Sequence, residues 1–404
     1  MTASSTTRRP AATLTRLPVA RLAFRPFFLL AALFGILSLV VWFAFWHGDI
    51  LLRPQGGLLF WHQHEMLFGF AAAVVAGFLL TAVQNWTGLP SLKGGPLLGL
   101  VALWLAARVL MAFPMGVPGG VVAAIDLAFL PLVAAVMASL VIRAKRWRNL
   151  IFLPALGLLT LANLLMHLGV LTGRAEWIRE GGYLAVLLIT LLMVVVGGRV
   201  IAMFTANRLG LARKPPIPAL EYLSLGSVMA VVLSQLLIAL GVALPATLLA
   251  GLMGLAALAN LVRLARWGGQ HSWREPLLWG LHLSYAFIPL GLCMWALALL
   301  AGSRADAAVH ALTIGGMGTM MLSMMARVSL GHTARPIRSL PGIGVALALM
   351  VAAALLRSPV LALFPQITHW TYNLGIIFWC LAYGVFLFHY TGPLLSPRAD
   401  GRDG

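Results

Sequence analysis

Residues 181–205 read GGYLAVLLITLLMVVVGGRVIAMFT and carry a single charged side chain, that of Arg199. An apolar run of about 20 residues, rising about 1.5 Å per residue, crosses a hydrocarbon core of about 30 Å. Similar runs recur along all 404 residues, of which 61% are hydrophobic and 9% charged, whereas soluble domains average roughly 25% charged residues. The sequence therefore predicts an all-α integral membrane protein.

Twelve apolar runs are long enough to cross a lipid bilayer, so we predict a bundle of about 12 transmembrane helices. No loop is long enough for a soluble domain, and the first run is too long for the core of a signal peptide. We expect a basic N-terminal tail at 1–25, a helical bundle at 26–391 and a C-terminal tail at 392–404. The predicted spans are 26–46, 61–84, 96–113, 119–142, 150–172, 181–205, 219–241, 243–264, 276–300, 306–328, 341–358 and 369–391.

The formal net charge of +18 does not indicate nucleic-acid binding, because the basic residues are sorted by loop. Loops after the even-numbered spans share the side of the N-terminal tail and are strongly basic. By the positive-inside rule, both termini are predicted to be cytoplasmic. The opposite loops are less basic and hold Arg53, Arg174, Arg179, Arg304 and Arg357 together with Asp49, Glu176, Glu180 and Asp306.

Histidines inside the predicted spans are the main candidates for a functional site, since ionisable groups are costly in hydrocarbon. Histidine is also the commonest metal ligand, and its neutral imidazole suits haem iron, copper and zinc alike. The topology predicts two layers. His62, His64, His167 and His310 lie toward the periplasmic side, and His282 and His332 toward the cytoplasm. All but His332 are candidate metal ligands, whereas an interfacial belt with Trp46 and Trp61 is the alternative for the periplasmic layer.

Helical phase separates the two histidines of WHQHEMLFGF, residues 61–70. His62 and His64 lie roughly 200° apart on a regular helix, so one ion is not expected to bind both, whereas His62 and Glu65 share a face. Haem iron takes one axial ligand from each side, and His64 and His310 are our first-choice pair. A second-site or proton-handling group then consists of His62, Glu65 and His167. Within this group, Glu65 and His167 are the catalytic candidates.

Spans 2 and 10 show a weak internal similarity. His64 and His310 are each followed at the fifth position by glycine, Gly69 and Gly315. Span 6 shares part of its residue spacing with span 10. Because spans 2, 6 and 10 lie four helices apart, the pattern suggests three four-helix repeats. In span 10, Gly315 belongs to a stripe of small residues that lets another helix or a flat macrocycle approach closely.

Two arginines near the cytoplasmic ends of spans are candidates for binding an anion. Arg199 and Arg327 lie close in depth to His282 and His332. With His332, they are candidates for holding haem, since guanidinium groups suit its propionates. They can equally snorkel to the interface. Methionines of span 10 offer thioethers to Cu(I) or simply fill the core, and Arg108 and Asp126 suit a structural ion pair.

Three stretches together resemble the NnrS family: WHQHEMLFGFAAAVVAGFLLTAVQNWTG at 61–88, GGRVIAMFTANRLG at 197–210 and HALTIGGMGTMMLSMMARVSLGHTARP at 310–336. This resemblance covers essentially the whole chain. It implies a bacterial inner-membrane protein that contains haem b and copper and is linked to nitric oxide, denitrification and nitrosative-stress defence.

The chain is more loosely similar to the catalytic subunit of haem-copper oxidases and nitric oxide reductases, which carry haem histidines on their second and tenth helices. Those enzymes take further metal ligands from helices six and seven, where this sequence has no histidine. A conventional binuclear centre is therefore not expected, although a reductase-like oxidoreductase remains one reading.

The leading hypothesis from the sequence is a haem protein, with copper as a second candidate cofactor, that binds or turns over nitric oxide or a related small nitrogen oxide. Catalysis would need an unidentified external electron donor, since no soluble electron-entry domain is present. The alternatives are a transporter of metal or small solutes, and a non-catalytic factor that passes haem or copper to a partner.

Overall fold

The computed structural model describes residues 17–49, 52–303 and 305–402. Within these ranges the chain forms helices and connecting turns without a β-strand. Most of the predicted N-terminal tail, residues 1–16, and Arg304 of one predicted loop lie outside the described residues. The described part of the tail includes a short 3-10 turn, Pro18–Ala20, before the first long helix.

Twelve helices in the described ranges are long and apolar enough to cross a membrane, so the chain is an all-helical multi-pass membrane protein. Each one coincides with a predicted span, and most extend beyond it because polar residues continue the helix past the apolar run. The helices are α1 Phe24–Trp46, α2 Leu58–Thr87, α3 Gly95–Ala112, α4 Gly119–Arg143, α5 Trp147–Thr172, α6 Ala175–Leu209, α7 Pro218–Ala239, α8 Ala246–Ala265, α9 Pro276–Leu300, α10 Asp306–His332, α11 Ile343–Leu363 and α12 Pro365–Leu395.

The first and last helices meet at one end of the bundle, which we call the terminal face. Arg25 at the start of α1 donates from Nη1 to the carbonyl oxygens of Leu394 and Ser396, both at 2.8 Å. The backbone of Ala399 donates to the carbonyl of Thr333 after α10 at 3.0 Å. Successive spans run in opposite directions, so even-numbered helices end at the terminal face and begin at the opposite face.

Three helices form the centre of the bundle. In α2, α6 and α10, 78% of the most apolar window is buried, against 56% or less in the other nine. The three sequence stretches quoted above lie in or at the ends of these central helices. Their unusual polar residues are therefore held inside the protein, where neighbouring helices can contact them.

Short π-helical segments interrupt three of the spans. One covers Glu65–Ala71 in α2 and another Ala311–Gly318 in α10, and each begins at the residue after a histidine. The third, Leu356–Val360 in α11, contains Pro359. Single π-turns often occur at functional sites because they re-aim side chains. The shared register of the first two is a further likeness between α2 and α10, while three four-helix repeats remain a prediction.

The small-residue stripe of α10 is covered by protein side chains. A Cβ atom on Gly315 would collide with the Phe287 ring, and one on Gly318 would meet Trp379. Tyr383 also donates from its hydroxyl to the Gly318 carbonyl at 2.9 Å. Helix packing therefore accounts for the stripe in this structure.

Candidate metal centre

Three buried side chains near the opposite face form a group that can hold a metal ion. His64 of α2, Asp126 of α4 and His167 of α5 each offer one ligand atom, and these atoms lie within 4.8 Å of one another. Asp126 Oδ2 is 3.2 Å from His64 Nε2 and 3.1 Å from His167 Nε2. We call this group the metal centre.

Local sequence features on α4 and α5 bring the ligands together. Asn163 and His167 are four residues apart and so lie on one face of α5. Asn163 donates from Nδ2 to Asp126 Oδ2 at 2.7 Å and places its own Oδ1 2.9 Å from His64 Nε2. Helix α4 stays helical through Ala128 and contains Pro131, whose missing N–H removes one backbone hydrogen bond just after Asp126.

A second carboxylate and an arginine surround the metal centre. Arg108 of α3 donates from Nη1 to Glu65 Oε1 at 2.7 Å and from Nη2 to Asp126 Oδ1. His64 Nδ1 lies 2.9 Å from the same Glu65 oxygen. The Arg108–Asp126 ion pair favoured by the sequence is therefore present, and Arg108 bridges two carboxylates that belong to different helices.

The net formal charge of this group would be balanced by one more positive charge. With neutral histidines, Glu65, Asp126 and Arg108 sum to a formal charge of −1, and an unbalanced buried charge is costly. Both ring nitrogens of His64 face oxygen acceptors, although a neutral imidazole donates from only one nitrogen. Either an extra proton or a metal cation satisfies this arrangement. Glu65 Oε2 and His167 Nδ1 are buried without a hydrogen-bond partner in the described chain.

A second polar group, the Arg357 cluster, lies on another side of α2 and consists of His62, His310, Arg357 and Tyr372. Arg357 donates from Nη2 to His310 Nε2 at 3.1 Å, and its guanidinium carbon lies 3.4 Å from the Tyr372 ring centroid. His310 Nδ1 contacts the Asp306 carbonyl at 2.7 Å. The charge of Arg357 acts on both histidines, and the His62 ring stacks on Trp42 at 4.4 Å.

The predicted outer-layer residues are thus divided between two groups. His64, Glu65 and His167 gather at the metal centre, whereas His62 and His310 belong to the Arg357 cluster. Glu65 still follows His62 on a regular part of α2, and it is the Glu65 side chain that turns toward His64 and Arg108 and away from His62.

The proposed axial pair has no hydrogen-bond partner in common. His64 uses both ring nitrogens toward Glu65, Asp126 and Asn163, and His310 uses both toward its own helix and Arg357. Neither imidazole presents a free nitrogen to haem iron in this arrangement. A haem between His64 and His310 would require both imidazoles to leave these partners, whereas the ligand atoms of His64, Asp126 and His167 already lie within 4.8 Å of one another.

The remaining predicted residues lie toward the terminal face. His282 Nε2 is 2.9 Å from the Thr205 hydroxyl, and the His332 ring lies 5.6 Å from that of Phe24. The guanidinium carbon of Arg327 is 3.9 Å from the Phe204 ring centroid. Arg199 lines a cavity considered below. The structure does not bring these residues to the metal centre.

Methionines of α10 surround a small apolar cavity. Met320, Met321 and Met324 line it together with Met193 of α6, and its volume is about 80 Å³. The other lining residues are apolar, so the thioethers contact hydrocarbon in this structure. Copper binding by these methionines remains a prediction.

Sequence reasoning missed three functional residues and misplaced one of them. Asp126 was considered for an ion pair and not as a ligand, and Asn163 was not considered, although its four-residue spacing from His167 marks a shared face. Arg357 was counted among the loop charges although it falls at the end of the predicted span 341–358, and it lies inside α11 with 6% of its surface exposed. The π-helical segment also accommodates Pro359, so the helix continues past this point.

The fold and the site define a class of protein: a multi-pass membrane protein with a buried His/Asp/His group that suits a metal ion. A family model described as NnrS protein matches residues 18–398, and the chain therefore belongs to the NnrS family. A comparison with curated proteins finds no match. Membership of this family fits a membrane protein linked to nitric oxide.

Proposed function

We propose that this protein is a bacterial inner-membrane metalloprotein that binds or turns over nitric oxide in denitrification or nitrosative-stress defence. The reaction site in this proposal is a metal ion held by His64, Asp126 and His167. The observation that carries it is the convergence of three ligand atoms within 4.8 Å, fully buried, in a group with one uncompensated negative charge. Membership of the NnrS family supplies the link to nitric oxide.

Copper is the metal we favour at this site. Two imidazoles and one carboxylate suit copper, zinc and iron alike, and the family resemblance includes copper. A bound copper ion would supply an open coordination position for nitric oxide and one-electron redox chemistry. Turnover would additionally require an electron donor from outside this chain.

The surrounding residues have separate roles in this proposal. Arg108 and Asn163 hold the Asp126 carboxylate in place through the hydrogen bonds already described. Glu65 orients His64 through Nδ1 and keeps Oε2 unpartnered. A carboxylate oxygen so placed can accept or release a proton beside the metal centre, so Glu65 is the proton-handling residue and His167 is a ligand.

Haem b, which the family resemblance also implies, is not required by this proposal. The assignment of His64 and His310 as its axial ligands remains a prediction that needs both imidazoles to leave their protein partners. The same holds for Arg199, Arg327 and His332 as residues that contact haem, and for His62 and His282 as metal ligands.

Metal analysis of the detergent-purified protein tests the proposal, combined with absorption and electron paramagnetic resonance spectra before and after exposure to nitric oxide. We expect bound copper and a spectral change in wild type, and loss of both in His64→Ala and His167→Ala. His271→Ala, an exposed histidine that contacts Gln270, is the matched control. A wild-type protein without metal, or unchanged metal in both variants, contradicts the proposal. Haem bands that persist in His64→Ala and His310→Ala would exclude the axial pair.

Metal or solute transport is the second candidate, and one observation favours it. Helix α4 loses one backbone hydrogen bond at Pro131, close in sequence to Asp126, and perturbed helices next to an ion site occur in secondary transporters. By contrast, α6 continues without a break through the adjacent glycines Gly197 and Gly198. Copper uptake into liposomes that depends on Asp126 would support transport.

A further inference from the structure

A large cavity opens at the terminal face, at the far end of the bundle from the metal centre. Its volume is about 530 Å³, which lies within the range of small-molecule sites. The walls come from α6, from α8, from the loop that joins α6 to α7 and from the turn after α8. The charged lining residues are Arg199, Arg213, Lys214, Glu221, Arg263 and Arg266. We call this space the basic cavity.

One of the cations is neutralised inside the protein. Arg263 donates from Nε to Glu221 Oε1 at 3.1 Å and from Nη2 to Glu221 Oε2. Its Nη1 donates to the Val194 carbonyl and to the Tyr285 hydroxyl, both at 3.1 Å. This arginine is therefore a fixed part of the cavity wall. Glu221 carries the only carboxylate among the described residues that line the cavity, and that carboxylate is already paired with Arg263.

The other four cations have no carboxylate partner among the described residues. In the part of the chain that the structure describes, no ion pair involves any of them, so the cavity carries a formal charge of +4 from Arg199, Arg213, Lys214 and Arg266.

Arg199 is the most unusual of these residues because of its depth. It lies ten residues before the end of α6, or about 15 Å along the helix axis, and its side chain is exposed. A guanidinium at such a depth is costly unless it faces water or a counter-ion. The basic cavity provides that environment.

The loop that carries Arg213 and Lys214 is tied to the cavity wall. Arg266 of the turn after α8 donates from Nη2 to the Pro215 carbonyl at 3.1 Å. Basic side chains from the middle of α6, the loop and the end of α8 therefore converge on one space, whereas residues that only snorkel would spread outward toward the interface.

We infer that the basic cavity binds a phosphate-bearing ligand with at least two negative charges. Arginine recognises phosphate oxygens through paired N–H donors, and four uncompensated cations call for a multiply charged anion. A lone halide is too small to contact side chains from three elements around 530 Å³. The shared chemistry is a phosphate group, carried either by an acidic phospholipid head group or by a soluble phosphate compound.

Native mass spectrometry of the full-length protein in detergent tests this inference. The soluble probe is inorganic pyrophosphate and the lipid probe is dihexanoyl phosphatidic acid, with the matching phosphatidylcholine as the baseline. Saturable binding of pyrophosphate above that baseline indicates a soluble ligand, and saturable binding of phosphatidic acid alone indicates a lipid. Absence of saturable binding for both probes overturns the inference.

Substitutions place the binding in the cavity. Arg199→Gln and the exposed-loop variant Lys214→Gln are each expected to weaken binding about tenfold, since a hydrogen bond to a charged group is lost. Arg174→Gln, at the exposed start of α6 on the opposite face, should leave binding unchanged. Equal binding by wild type and both cavity variants overturns the inference. Metal content should be the same in all these variants, which separates this result from the fate of the metal centre.

Discussion

His64 Nε2 lies 3.2 Å from Asp126 Oδ2, although 62 residues separate the two in sequence. Two oxygens face this nitrogen, Asp126 Oδ2 and Asn163 Oδ1, while Glu65 faces the other side of the ring. Side chains of α2, α4 and α5 thereby meet at one imidazole. Arg108 of α3 contacts both carboxylates and adds a fourth helix to the group. The metal centre therefore holds four helices together and is also a candidate functional site.

The first prediction concerns the charge balance at the metal centre. Arg108 has 4% of its side chain exposed and pairs with Glu65 and Asp126. Arg108→Met would leave two buried carboxylates without their cation, and breaking a buried pair costs about 3–5 kcal/mol. We expect a clearly lower thermal unfolding midpoint in detergent, measured in the absence of added metal.

A double variant provides the control for this prediction. Arg108→Met with Glu65→Gln restores the formal charge of −1 at the site, so part of the lost stability should return. An unfolding midpoint of Arg108→Met equal to that of wild type would show that the two carboxylates are not buried as charged groups.

The second prediction uses a glycine in the π-helical segment of α2. A Cβ atom on Gly69 would lie 2.5 Å from Phe34 Cε1, 2.9 Å from Glu65 Oε2 and 3.0 Å from Arg108 Nη1. Gly69→Ala therefore displaces the pair that holds Asp126, and we expect at least tenfold weaker metal binding. Metal content after dialysis against graded chelator concentrations measures the change.

Gly99 of α3 gives the matched control. A Cβ atom there meets nothing within 4 Å, and alanine is favoured over glycine in a helix interior by about 0.5–1 kcal/mol. Gly99→Ala should keep the metal and unfold at the same or a higher temperature. Equal metal affinity in Gly69→Ala and Gly99→Ala would argue against the geometry of the metal centre.

The sequence predicts the helices well and the contacts between them poorly. Length and hydropathy set each span, so all twelve helices occur where the apolar runs indicated. Hydropathy carries no information about which helices are neighbours. The proximity of α2, α4 and α5 therefore could not be predicted, and with it the position of Asp126 between His64 and His167.

Local helix geometry and side-chain direction explain a further part of the difference between the predicted and the observed contacts. The helical phase predicts that His62 and His64 face different neighbours, and they contact Trp42 and the metal centre respectively. The same phase would let Glu65 approach His62, but its side chain contacts His64 and Arg108 at the point where the π-helical segment begins. No simple sequence signal marks such a segment, whereas Asn163 and His167 on a regular helix could have been paired.

The third prediction concerns orientation in the membrane. The positive-inside rule places the terminal face in the cytoplasm, and the two native cysteines, Cys293 and Cys380, lie within α9 and α12. Ser303→Cys after α9 should react with a membrane-impermeant maleimide added to spheroplasts, whereas Arg143→Cys at the end of α4 should react only after lysis. Wild type reports the background from the native thiols. The reverse labelling pattern would invert the topology.

The fourth prediction contrasts the two buried arginines near the opposite face. Arg357 is 6% exposed, its Nη1 has no hydrogen-bond partner in the described chain, and its contacts are His310 and Tyr372, with the Asp306 carboxylate acting on it electrostatically. Arg357 lacks the two close carboxylates that hold Arg108, so removing its charge relieves more desolvation cost than it loses in attraction. Arg357→Met retains much of the apolar stem, so we expect the unfolding free energy to change by less than about 1 kcal/mol, or to rise. Thermal unfolding beside Arg108→Met measures this, and an equally large loss in both variants would show that Arg357 has a close charged partner in the folded protein.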